Sequence, residues 1–167
     1  MSEVDGNPRV GSARKVARRL LANAGVTRPP IRIRDIVEYL KKTSDLSICP
    51  WDFGKDTDGM QLTQGENITI GYNQNQHRHR QRFTVAHEIG HFMMGHTTGD
   101  SPFDLTSQKP EEIEANQFAA ELLMPLGLLK GEIRDGLKNV KSLADVFDVS
   151  DEAMWWRIRG CNLLKEL

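Results

Sequence analysis

His87 and His91 stand four residues apart, with Glu88 directly after the first, in the run Arg82-Phe83-Thr84-Val85-Ala86-His87-Glu88-Ile89-Gly90-His91-Phe92-Met93-Met94. Side chains at i and i+4 of a helix share a face. Two imidazole nitrogens can therefore meet on one metal ion. Glu88 lies beside that face and can serve as general base toward a water at the ion, without taking a coordination position. Gly90 leaves room for another backbone or a substrate strand to approach closely. A helix carrying two merely solvated histidines is the plainer alternative, and it leaves the spacing unexplained.

A catalytic zinc needs a third protein ligand and an open position. Cys49 and Cys161, the only cysteines, lie far from this run. The better source is Glu111-Glu112-Ile113-Glu114-Ala115-Asn116-Gln117-Phe118-Ala119-Ala120-Glu121-Leu122-Leu123-Met124-Pro125. Its pattern is that of an amphipathic helix with acids near the start. A loop of about fifteen residues would let it run back beside the histidine helix. Glu112 and Asn116 share one face, which Ala119 and Leu123 continue inwards. Glu111 lies about 100° round the helix from Glu112 and Glu114 about 200°, so both read as ordinary first-turn acids. The expected set is thus His87, His91 and Glu112 on Zn2+ and Glu88 as base. Asn116 would accept the second N–H of a ligating imidazole.

The flanking sequence must position these residues. Residues 1–11 are polar, contain Gly and Pro, and read as a flexible tail. Ser12 can cap a helix whose apolar face is Ala13, Val16, Ala17, Leu20, Leu21 and Ala24, stopped by Gly25. Pro29-Pro30 breaks the chain, and Ile33, Ile36, Val37 and Leu40 outline a second short helix. Between Leu46 and Tyr72 the period shifts towards two. Strands are expected near 45–49, 59–63 and 67–72, with Gln64-Gly65-Glu66-Asn67 as a hairpin turn and an antiparallel sheet as the outcome. The histidine helix should run from about His77 to Met94. It ends at Gly95 and the Thr97–Pro102 cluster. Pro110 suits the first position of the ligand helix, which Pro125 stops. Two short helices near 142–147 and 151–159 follow, with Ser142 and Ser150 as caps and Gly160 as a C′ residue. The organisation this gives is a main domain over 12–130 and a C-terminal helical segment, 131–167, packed on it.

The run Phe83-Thr84-Val85-Ala86-His87-Glu88-Ile89-Gly90-His91, followed by Glu112-x-x-Ala115-Asn116-x-Phe118-Ala119-Ala120-x-Leu122-Leu123-Met124-Pro125, resembles the ImmA/IrrE family of zinc metallopeptidases. The resemblance extends to the Ala-rich opening helix, the Pro-Pro break, Asp58-Gly59-Met60 and Ile68-Thr69-Ile70. It implies an α+β zincin-like, gluzincin-like domain, with a small antiparallel sheet, a His-Glu-x-x-His helix and a facing ligand helix. It also implies a thermolysin-like site with two His and one Glu on zinc. The substrate it implies is a protein, often a helix-turn-helix transcriptional repressor controlling a mobile element, prophage or stress response. Many members carry an added DNA-binding domain, for which the N-terminus here offers no room. A further donor to the oxyanion of peptide hydrolysis is expected. His96, His77, His79 and Tyr72 are candidates, each reading more simply as a surface or packing residue.

Two other function classes compete. One is a regulator that uses the peptidase scaffold without catalysis. The other is a DNA-binding module formed by Ser142–Ile158, which has a helix-turn-helix pattern. The second helix of that pair opens on Asp151-Glu152, which would face phosphates of like sign, so direct nucleic-acid binding is disfavoured. Leu143, Val146, Phe147, Met154, Trp155 and Ile158 suffice to pack the pair on the domain. With 167 residues, 27% charged and a net charge of −1, no polybasic field draws the chain to nucleic acid or membrane. No stretch approaches the roughly 20 apolar residues of a membrane span. The N-terminus has no signal-peptide core and cysteine is scarce, so a cytoplasmic setting is expected. The near-neutral total averages a basic front, up to Lys42, and an acidic back, from Asp100 to Glu152. Solvated helix faces are the simplest account of that asymmetry, docking of a charged partner the other.

Overall fold

A computed structural model describes residues 6–96 and 106–167. Helix α1 (Val10–Asn23) is followed by α2 (Ile33–Leu40), strands β1 (Leu46–Trp51), β2 (Gly59–Gln64) and β3 (Asn67–Asn73), and the long helix α3 (Arg78–Met94). Then come α4 (Pro110–Leu123), α5 (Leu126–Arg134), α6 (Val140–Phe147) and α7 (Asp151–Gly160). The mixed α+β class expected from the sequence is the one observed. Of the expected Thr97–Pro102 stop and the loop to Lys109, residues 97–105 lie outside the described residues.

Helix α1 begins earlier than its pattern suggests. Val10 and Gly11, assigned to the polar tail, are its first residues, and Ser12 lies inside the helix instead of capping it. The start is set by tertiary contact: the Arg9 main-chain N–H donates to a Glu114 carboxylate oxygen at 2.8 Å. At the other end of the molecule, Asn139 and not Ser142 caps α6, its side chain accepting from the Ser142 N–H at 3.1 Å. Ser150 caps α7 by accepting from the Ala153 N–H at 3.1 Å. Gly160 is the last residue of α7, not a residue beyond it, and Asn162 takes the left-handed conformation. Asn tolerates that conformation better than most residues. Helix α5, past Pro125, has no counterpart among the expected elements. It buries Leu129 and Ile133, one turn apart.

The sheet has the order β1-β3-β2. β2 and β3 form the expected antiparallel hairpin, Gln64 opposite Asn67, with Gly65 at φ +63° in the two-residue turn. β1, however, runs parallel to β3, Leu46 opposite Ile68 and Trp51 opposite Asn73, so the sheet is mixed and not antiparallel. Alternation identifies strands but not their neighbours. Here β3 folds back between β1 and β2 and thereby aligns with β1. Buried Asn73 fixes the intervening loop by donating to the Gly54 and Thr57 carbonyls at 2.8 and 2.7 Å.

One hydrophobic cluster runs from Ala13 and Leu20 on α1, through Ile70, Ile89 and Phe118, to Leu143, Phe147, Met154 and Ile158. Trp155, expected in that packing face, stays at the surface at 38% exposure, with the Arg159 guanidinium 5.2 Å from its ring centroid. Arg157 fills the inward position instead. Its Nε donates to the Met124 carbonyl at 3.0 Å and its Nη2 pairs with Glu121, and both side chains are buried. Removing one partner of a buried pair strands the other's charge. Arg157→Ala leaves Glu121 with half-exposed Arg18 at 3.4 Å and the Leu126 N–H at 3.3 Å, so it should cost about 3 kcal/mol, and replacing Arg157 with Met and Glu121 with Leu together should recover part of the loss. Urea denaturation of both variants checks this. Equal destabilisation by the single and double changes would contradict it. Among the described residues, no helix is long and apolar enough to cross a membrane.

Candidate metal centre

Helix α3 runs through the middle of the molecule, and eight consecutive residues, Thr84 to His91, are buried. A helix enclosed on every side must satisfy its polar groups internally. Gly90 makes the enclosure possible. A Cβ there would meet Ala115 backbone atoms at 3.2 Å and Phe118 Cδ1 at 3.0 Å, so a larger residue would push α4 away by a few tenths of an ångström. The backbone that Gly90 admits is thus that of α4. Gly95, left-handed at φ +71°, ends α3 and turns His96 back beneath it.

With α4 at this distance, Glu112 reaches both histidines. Its Oε2 lies 3.2 Å from His87 Nε2, and its Oε1 lies 3.2 Å from His91 Nε2. The two Nε2 atoms are 3.0 Å apart. Among the described residues, His87, His91 and Glu112 form the group whose donor atoms could hold one ion. Zinc bonds of about 2.0–2.1 Å in a tetrahedron place neighbouring ligand atoms about 3.3 Å apart. The spacings here suit that ion.

Proton placement agrees with the same use. His87 Nδ1 faces Asn116 Oδ1 at 2.8 Å, so it carries the hydrogen and leaves the Nε2 lone pair toward Glu112. His91 Nδ1 lies 2.9 Å from His96 Nδ1, and His96 Nε2 lies 2.9 Å from Glu114 Oε2. The carboxylate takes the His96 Nε2 hydrogen, His96 Nδ1 becomes the acceptor, and His91 donates from Nδ1. Its Nε2 lone pair then points to the same spot as that of His87. Burial pushes the His87 imidazolium down, with His91 adding to the effect and Glu112 and Asn116 opposing it. Burial pulls the Glu112 carboxyl upward, but the two imidazoles outweigh it and hold the group well below the usual carboxylate range.

Glu88 is buried beside this group, and its environment is different. Burial raises its carboxyl to about 7, with His91 opposing and Glu112 adding to the rise. On its far side is the start of β2: a methyl on Gly59 would lie 3.9 Å from Glu88 Cγ and 2.4 Å from Thr84 Cγ2. The raised carboxyl has a consequence for stability. A group whose folded pKa is raised stabilises the fold below its unfolded value, near 4.5, and that contribution is lost as pH rises through about 7. In chelator-stripped protein, Glu88→Gln should thus be more stable than the parent by roughly 3 kcal/mol at pH 8 and near parity at pH 4. Urea midpoints at the two pH values check it. A difference that does not change with pH would contradict it.

The chain belongs to the Peptidase_M78 family. That family's model, described as an IrrE N-terminal-like domain, matches residues 43–159, which include α3, α4 and the α6–α7 pair. A further relative is "Uncharacterized immunity region protein 2" of Bacillus phage phi105. It is 32% identical over 85 residues, covering 48% of this chain and 53% of that protein. Among solved structures, a Mycobacterium tuberculosis transcriptional regulator aligns with a TM-score of 0.63 at 17% identity, over 89% of this chain and 46% of that one. At that identity the likeness is one of fold. The chain spans about half the length of each relative. This Peptidase_M78 chain therefore carries a group able to bind a metal within a fold shared with a regulator.

The other residues singled out in the sequence lie elsewhere. His77 caps α3 and accepts from the His79 N–H at 3.2 Å, while His79 Nε2 sits 3.2 Å from Asp148. Tyr72 lines a cavity of about 450 Å³ with Ile33, Val37, Ile48, Gln81 and Arg82, none of them metal-site residues. His96 does not converge on the ion position but lies behind His91. Glu111 and Glu114 part company: Glu114, read as an ordinary first-turn acid, is buried at 3% exposure in contact with His96 and Arg9. The signal that could have found it is charge complementarity between the basic first helix and the acidic fourth.

Proposed function

We propose that the chain is a zinc-dependent endopeptidase whose substrate is a helix-turn-helix transcriptional repressor. The observation that carries this reading is the convergence of His87, His91 and Glu112 on one point, with the raised carboxyl of Glu88 beside it. When bound, zinc would polarise the scissile carbonyl and acidify the attacking water. His87 and His91 would hold the ion through Nε2, their Nδ1 hydrogens committed to Asn116 and His96. Glu112 would supply the third ligand and the negative charge that offsets the ion. Glu88 would accept a proton from water at its carboxylate and return it to the leaving amine.

The sheet supports a peptide substrate. Among the described residues β2 pairs only with β3 and is an edge strand, the kind of strand to which an extended chain can add. Gly59 begins that strand against Glu88. Main-chain pairing along such an edge gives affinity without demanding a particular sequence. The choice of a repressor rests on the family and on a relative named for a phage immunity region.

The test is incubation of the zinc-loaded protein with a helix-turn-helix repressor, sought first among the genes adjacent to its own. The expected outcome is discrete cleavage, abolished by a chelator and restored by zinc. Relief of repression in cells by Glu88→Gln as well as by the parent chain would instead support a non-catalytic regulator.

A further inference from the structure

The polar chain behind His91 extends well past the metal group. Arg9 offers Glu114 three donors: the main-chain N–H to Oε1 at 2.8 Å, Nε to Oε1 at 3.1 Å and Nη2 to Oε2 at 2.8 Å. Glu114 in turn takes the His96 Nε2 hydrogen, and His96 Nδ1 faces His91 Nδ1. Every link runs in one direction, from an acceptor fixed by Arg9 to the nitrogen that must carry a hydrogen if His91 is to bind metal through Nε2. Arg9 immediately precedes α1, ahead of the residues 43–159 that match the family model.

We propose that Arg9, Glu114 and His96 form a positioning relay that presents the His91 Nε2 lone pair to the metal, so that metal retention depends on docking of the segment ahead of α1. The proposal rests on the zinc-site reading above. Partners that orient a ligating histidine contribute to metal affinity by fixing its tautomer and ring plane and raising its basicity. His87 has such a partner in Asn116, on the same helix as Glu114. The relay gives His91 its equivalent, with the difference that its last member stands 105 residues before Glu114 in sequence. A control is built into the same helix pair. Arg14 donates to Gln117 Oε1 at 3.1 and 2.7 Å, joining α1 to α4 without touching a metal ligand.

The test is zinc affinity of the full chain, measured by competition with a chromophoric chelator, alongside thermal melts of the stripped proteins. His96→Ala and Glu114→Gln are expected to weaken zinc binding about tenfold to a hundredfold. Arg9→Ala, which keeps the main-chain donor, should weaken it by several-fold. Arg14→Ala should leave it within about twofold of the parent. Glu114→Gln is nearly isosteric and carries the test if His96→Ala folds poorly. Zinc affinity unchanged in both His96→Ala and Glu114→Gln would overturn the relay while leaving the metal centre intact. Equal weakening by Arg9→Ala and Arg14→Ala would assign the effect to helix packing and overturn the role of Arg9. A parent chain that binds no zinc would overturn the metal centre itself.

Discussion

Replacing His87, His91 or Glu112 singly with alanine is expected to lower zinc affinity by roughly 10²–10⁴-fold. The size follows from dividing a zinc binding free energy of about 10–16 kcal/mol among three or four ligands. Glu112→Ala should stand at the upper end. It removes a ligand and also the negative charge that lies 3.2 Å from both imidazoles. Glu111→Ala, one position away on the helix, should leave zinc in place. Metal content after dialysis against a weak chelator measures all four. Near-stoichiometric zinc in His87→Ala or in Glu112→Ala would contradict the assigned ligands.

Glu88→Gln is expected to remove at least 10²–10⁴-fold of cleavage activity while zinc stays bound. The two effects separate because Glu88 is beside the metal group without being one of its converging donors. Its carboxyl is raised to about 7 by burial, with His91 opposing and Glu112 adding, which suits a group that must take and return a proton near neutral pH. Glutamine keeps the shape and loses the proton-accepting oxygen. Cleavage rate per bound zinc is the quantity to compare. A Glu88→Gln protein that cleaves at the parent rate would show that some other group performs the proton transfer.

The site was legible in the sequence where one helix carries the geometry. The i, i+4 spacing of His87 and His91 needs only a helix, and α3 forms as its pattern suggests, with His77 at its cap and Gly95 at its end. Glu112 and Asn116 follow from the face they share on α4, where Glu112 reaches both imidazoles and Asn116 reaches that of His87. Glu114 could not be read the same way. A wheel drawn about Glu112 puts Glu114 on the other side of α4, and nothing local shows that His96 is turned beneath α3 to meet it there. That contact depends on the left-handed Gly95 and on the close approach at Gly90 together.

The charge asymmetry has a related lesson. Part of the basic front of the chain, read as solvated helix faces or as a docking surface, finds partners within the fold. Arg9, just ahead of α1, and Arg14 and Arg18 on it meet Glu114, Gln117 and Glu121 on α4, with Arg9 and Arg18 still more than half exposed. The sequence showed two complementary stretches but not that they were each other's partners. The sheet failed in the same way: alternation located three strands, whereas the parallel pairing of β1 with β3 is a matter of order in space. Helix α5 escaped because Pro125, which ends α4, also starts the next helix one residue later.

Mass spectrometry decides whether this group of side chains hydrolyses a peptide bond using zinc. A helix-turn-helix repressor, sought first among the adjacent genes, would be incubated with equal amounts of zinc-loaded parent and Glu88→Gln protein. One pair of fragments, whose masses sum to the repressor plus one water, is expected from the parent alone, with zinc content equal in both. The same fragments from Glu88→Gln at the same rate, or an intact repressor after incubation with fully loaded parent protein, would contradict it.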